Sequence, residues 1–153
     1  MSLSPEETIK IRIRQVRAFM KDFPEYNRLI PKEEATDEQI RLAIELTLED
    51  FNNSPPIIGT FPIEAFPYIS ILIMGSVLQL LQMEGILQSR NKQAYNVGQI
   101  SFNVSDKTPE YQNWIVNFRQ EYETKKAELK KFLNADSGYG EVASEYAGTD
   151  FWY

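Results

Sequence analysis

The stretch Tyr68-Ile69-Ser70-Ile71-Leu72-Ile73-Met74-Gly75-Ser76-Val77-Leu78-Gln79-Leu80-Leu81-Gln82-Met83-Glu84-Gly85-Ile86-Leu87-Gln88-Ser89-Arg90 decides the fold. Its first half is apolar nearly all round, the mark of a helix enclosed by neighbours. Gly75 and Ser76 are small and let another helix approach closely. From Gln79 onward polar residues intrude, so the helix should emerge toward water. Residues 65–87 are the membrane candidate of the chain, but Pro67, Ser70, Gly75, Gln79, Gln82 and Glu84 interrupt them. The unbroken apolar runs fall far short of the ~20 residues a span needs. The stretch therefore predicts a central, buried helix of a protein that does not span a membrane.

Two shorter helices precede it. Ser4, Pro5 and Glu7 form a capping signature, and Ile9, Ile13, Val16, Met20 and Phe23 follow at helical spacing until Pro24 stops them. Residues 24–35 read as a loop, pinned by Tyr26, Leu29 and Ile30. Thr36 with Gln39 opens a second helix, whose core face is Ile40, Ile44, Leu48 and Phe51, supported by Ala43 and Thr47. Asn52, Asn53, Ser54, Pro55 and Pro56 end it. A turn-rich connector follows, with an extended piece at Ile57, Ile58 and Phe61 and a helical turn at Ile63, Ala65 and Phe66.

Beyond the central helix, Ile100, Phe102 and Val104 alternate with polar residues, a strand pattern that predicts a short ribbon near 94–105. Thr108 and Pro109 open a last helix to Asn134, with Tyr111, Trp114, Ile115, Phe118, Tyr122, Leu129, Phe132 and Leu133 on its buried side. From 135 to 153 no period survives. The expected fold is mainly α: a small bundle of about four helices (1–134) with a short β-ribbon and an extended C-terminal arm (135–153).

Composition narrows the function. The chain has 153 residues, 42% hydrophobic and 25% charged, which suits one globular domain. It has no cysteine and no histidine. Thiol nucleophiles, thiolate metal sites and the commonest general base are thereby gone. Glu45, Glu49 and Asp50 are the remaining carboxylate cluster, and acidic residues on one helix face normally meet solvent. The expectation is no enzyme, no catalytic or metal site and no cofactor. A net charge of −6 argues against specific nucleic-acid binding. Residues 1–10 lack the pattern of a signal peptide.

Three features suggest protein partners. The acidic arm carries Tyr139, Tyr146, Phe151, Trp152 and Tyr153, and Trp and Tyr dominate binding hot spots. Ile100, Phe102 and Val104 lie on a ribbon that either accepts strands from other chains at its edges or packs as a small hairpin on the helices. Lys10, Arg14, Arg17 and Lys21 fall within roughly 60° on a helical wheel, which makes them either a solvated face opposite Ile9, Ile13 and Val16 or a basic stripe for an acidic partner surface or phosphate.

Three passages together resemble small virion proteins of tailed bacteriophages: Leu48-Glu49-Asp50-Phe51-Asn52-Asn53-Ser54-Pro55-Pro56; Asn96 through Phe102 with Ser105-Asp106-Lys107 and then Tyr111; and Lys125, Lys126, Lys130 and Lys131 closing at Asn134 before Ser137-Gly138-Tyr139-Gly140. The likeness covers roughly residues 36 to 140. Where the family pattern often has a Gly pair in the ribbon, this chain has Phe102-Asn103-Val104. The resemblance implies a head-to-tail connector protein of the virion neck, made in the host bacterial cytoplasm. Such adaptors form homo-oligomeric rings, commonly twelvefold, that bind the portal and the tail or neck proteins. A tail or baseplate structural role and a non-virion helical binding module are the alternatives.

Overall fold

The computed structural model describes residues 4–27, 32–90, 95–97, 100–102 and 108–139. Within them the chain is mainly helical: α1 (Pro5–Met20), α2 (Asp37–Asn53), α3 (Ile69–Arg90) and α4 (Thr108–Tyr139), with one 3-10 turn at Ile63–Ala65. Of the segment 94–105 in which a ribbon is expected, only 95–97 and 100–102 are among the described residues, and the arm beyond Tyr139 lies outside them.

Local chemistry sets the helix starts. At Ser4 and at Thr36 the side-chain oxygen accepts from the third helical N–H, while Glu7 and Gln39 reach back to the cap's own N–H. Two otherwise orphaned donors are satisfied at each end. Lys21 stops α1 in the left-handed region, with φ at 56°.

α3 packs against α1, α2 and α4. By length and composition it is apolar enough to cross a membrane; in this fold Ile71, Leu72, Met74, Val77, Leu78 and Leu80 are buried among the other helices. α1 contributes Ile13 and Val16 to the core, and α2 contributes Ile40, Ala43, Ile44 and Phe51. Phe51 meets Phe66 and Phe61 edge-on, at ring-centroid distances of 4.8 and 5.9 Å. Asn52 holds the connector in place, accepting from Phe61 N at 3.0 Å and donating to Phe61 O at 3.1 Å.

The structure departs from the sequence expectation in three places. Trp114 and Phe132 face outward at 59% and 60% exposure, because α4 turns only a narrow stripe toward α3 and the end of α2. In the loop after α1, Tyr26 is exposed, Leu29 and Ile30 lie outside the described residues, and the buried Asp22 carboxylate ties Asn27 to Glu34 and Ala35. α4 continues past Asn134 to Tyr139, for nothing in Ala135, Asp136 and Ser137 breaks a helix.

Candidate functional site

The richest cluster of side chains joins the end of α2 to the middle of α4. Asp50 accepts from the Tyr122 hydroxyl and from Lys126 Nζ, both at 2.8 Å. Lys126 also pairs with Glu123 at 2.9 Å and lies over the Tyr122 ring. One turn further along α4, Lys130 Nζ donates to Phe51 O at 2.5 Å, to Ser54 O and to Ser54 Oγ. The last carbonyls of a helix have no internal partner and carry the negative end of its dipole. Lys130 therefore completes α2 from another helix, with its ammonium over the Phe51 ring.

Burial governs the titration of this cluster. It pushes the Tyr122 hydroxyl well above the ordinary phenol value, and the bond to the Asp50 carboxylate adds to the rise. It also lowers the Lys130 ammonium, helped by neighbouring Lys126 and opposed by Asp50. The arrangement is a clamp between helices. Lys130 is itself only 2% exposed.

Substituting Lys130 with Met should cost about 2 kcal/mol, because it strands buried carbonyl acceptors. Urea melts of the variant should show that loss, and exposed Lys131→Met should stay within about 0.5 kcal/mol of the parent. Equal stability of the two variants would show that the clamp contributes nothing.

The proposed basic stripe does not hold together as a stripe. Lys10, Arg14 and Lys21 are exposed, but Arg17 is buried at 4% exposure. Its guanidinium pairs with Asp22 at 3.0 Å, Glu33 at 3.2 Å and Asp37 at 2.6 Å. Arg17 is thus committed within its own chain and is withdrawn from the partner-facing set. Asp22 in turn accepts from Asn27 Nδ2, Glu34 N and Ala35 N. Burial raises its carboxyl pKa, but those bonds and the Arg17 charge outweigh it and hold the group below its usual range.

Glu45, Glu49 and Asp50 do not converge. Glu45 pairs with Arg41 at 3.1 Å, Glu49 is exposed, and Asp50 belongs to the clamp. A groove of about 440 Å³ separates the second half of α3 from the end of α1 and the start of α4, lined by Met20, Leu80, Met83, Leu87 and Tyr111, with Glu34 and Glu84 at its edge. Burial, then Glu84 and Glu34, raise the Tyr111 hydroxyl.

Of the other partner candidates, Val104, Tyr146, Phe151, Trp152 and Tyr153 lie outside the described residues, and only backbone is described for Ile100, Phe102 and Tyr139. Sequence reasoning passed over Trp114 and Phe132 as surface residues, and Tyr122, Lys126 and Lys130 as the clamp. The lysine spacing of one turn, 126 to 130, was the available signal, but its partner on α2 was not visible from α4 alone. The chain matches no family model, no curated protein and no solved structure.

Proposed function

We propose that this chain is a structural subunit of a tailed-phage virion, a ring-forming adaptor in the head-to-tail connector between portal and tail. One observation carries the reading. Two of the passages that resemble connector proteins, the end of α2 and the lysine-rich close of α4, meet at one junction through Asp50, Tyr122, Lys126, Lys130, Phe51 and Ser54. Passages far apart in sequence that share one tertiary task support a single inherited pattern over separate coincidences.

A ring needs unlike faces that meet head to tail. The reading assigns one such face to the aromatic arm with Tyr139, Tyr146, Phe151, Trp152 and Tyr153. It assigns another to a short ribbon in which Tyr95–Val97 pairs antiparallel with Ile100–Phe102. Exposed Lys10, Arg14 and Lys21 provide a cationic surface for an acidic segment of the next subunit. Homo-oligomer, portal and tail or neck contacts are the functions of these surfaces; the reading gives the chain no catalytic residue, metal or cofactor.

Deleting residues 140–153 should leave a folded helical body, judged by circular dichroism, that no longer forms rings in electron micrographs or captures the portal. A truncated chain that assembles and captures as well as the full one removes the arm from the proposal. Absence of the chain from the neck of purified particles, sought with labelled antibody, removes the adaptor reading itself.

A further inference from the structure

One face of α4 is turned away from the clamp and touches the core only at Phe118 and, through Met74, at Lys125. Trp114, Phe118, Glu121, Lys125, Glu128 and Phe132 follow one another in alternating steps of four and three residues. That spacing is the seam of a helix that pairs with another helix. Trp114 and Phe132 are about five turns apart and so point the same way, about 27 Å from one another. Both are more than half exposed. Between them Glu121 and Lys125 are half-exposed and paired at 2.6 Å. Phe118 is half-buried and packs against Trp114 at a ring-centroid distance of 6.0 Å.

The order of residues along this seam is self-complementary. Lay a second copy of α4 antiparallel on the first, about a twofold axis level with Glu123. Trp114 of one copy then faces Phe132 of the other, and Glu121 faces Lys125, in both halves of the contact. Phe118 and Glu128 face each other at the remaining positions. An isologous interface demands this reciprocity, residue i on j and j on i. A parallel arrangement would set Glu121 on Glu121 and Lys125 on Lys125.

We infer that the outer seam of α4 is a self-association site, at which two copies of this chain pair antiparallel through Trp114–Phe132 and Glu121–Lys125 contacts. Trp is the preferred anchor of protein interfaces, and each is covered here by the other copy's Phe132. The crossed ion pairs fix the register more than they add affinity. The contact does not rest on the adaptor reading. A twofold contact joins like faces, whereas a ring contact joins unlike ones.

Charge exchange tests it on the full chain by sedimentation over a concentration series. Glu121→Lys and Lys125→Glu each place like charges opposite one another, so each should weaken dimers by about tenfold or more. An equimolar mixture of the two variants restores opposite charges at every position and should recover parent-like dimers. Both positions are on the surface, and circular dichroism of each variant checks that it is folded. The chain has no cysteine, so introduced thiols report the register alone. Trp114→Cys mixed with Phe132→Cys should cross-link one to one with a short bis-maleimide, while neither variant should cross-link to itself. A monomeric parent at every concentration, single variants that dimerise like the parent, a mixture without recovery, or self-cross-linking of Trp114→Cys would each overturn the inference.

Discussion

Replacing Gly75 with alanine should destabilise the protein by about 2 kcal/mol, and replacing it with valine should cost more. A Cβ at this position would overlap Thr47 Cγ2 and stand 2.8 Å from Tyr122 Cε2. Neither neighbour yields easily. The Thr47 hydroxyl donates to Ala43 O at 2.8 Å, and the Tyr122 hydroxyl donates to Asp50. Alanine gains about 1 kcal/mol over glycine in a helix interior, but overpacking a filled core costs typically 1–3 kcal/mol and occasionally more. At this three-helix contact the second effect wins. Urea unfolding gives the number directly. An alanine variant with unchanged or raised stability would mean that α2 and α4 do not close on α3 here.

The second large effect lies at Arg17. Arg17→Met should cost about 3–5 kcal/mol, the usual result when one member of a buried ion pair is removed and the other stays behind. Asp22 stays behind, still tied to Asn27, Glu34 and Ala35. Its native pKa is held below the ordinary value. A carboxyl lowered on folding contributes stability that is fully present above its unfolded pKa, near ~3.9, and is lost as the pH falls through the native value. The parent should therefore lose this contribution only in strong acid, and Arg17→Met should lose it at higher pH. Stability measured from pH 7 down to pH 2 in both proteins decides the matter. Arg14→Gln, at an exposed position on the same helix, should shift stability by no more than about 0.5 kcal/mol.

Arg17 and Gly75 also show what was legible in the residues and what was not. The close approach at Gly75 could be read because a small residue in an otherwise apolar run has few other uses. The capping boxes at Ser4 and Thr36 could be read because they are complete within four residues. The direction of Arg17 could not. It shares a helical wheel position with Lys10, Arg14 and Lys21, and only the arrival of Asp22, Glu33 and Asp37 from the following loop and helix turns it inward. Lys126 and Lys130 are the same case over a longer distance. Trp114 and Phe132 fail in the opposite sense: apolar period tells which residues share a side, not how wide a side the neighbouring helix covers. The seam on α4 is what remains of that apolar pattern once α3 has taken its part.

Lys130 carries a consequence for the order in which this chain acquires its structure. It reaches back across 79 positions to Phe51 O. During synthesis α1, α2 and α3 emerge before α4, so the end of α2 spends that interval with water as the partner of its last carbonyls. Contacts between residues so far apart form late, because the intervening chain must first be brought to order. A ribosome-bound chain that stops short of residue 130 should hold a looser α2 than the finished protein, and release of α4 should tighten the last turn of a helix made some 80 residues earlier.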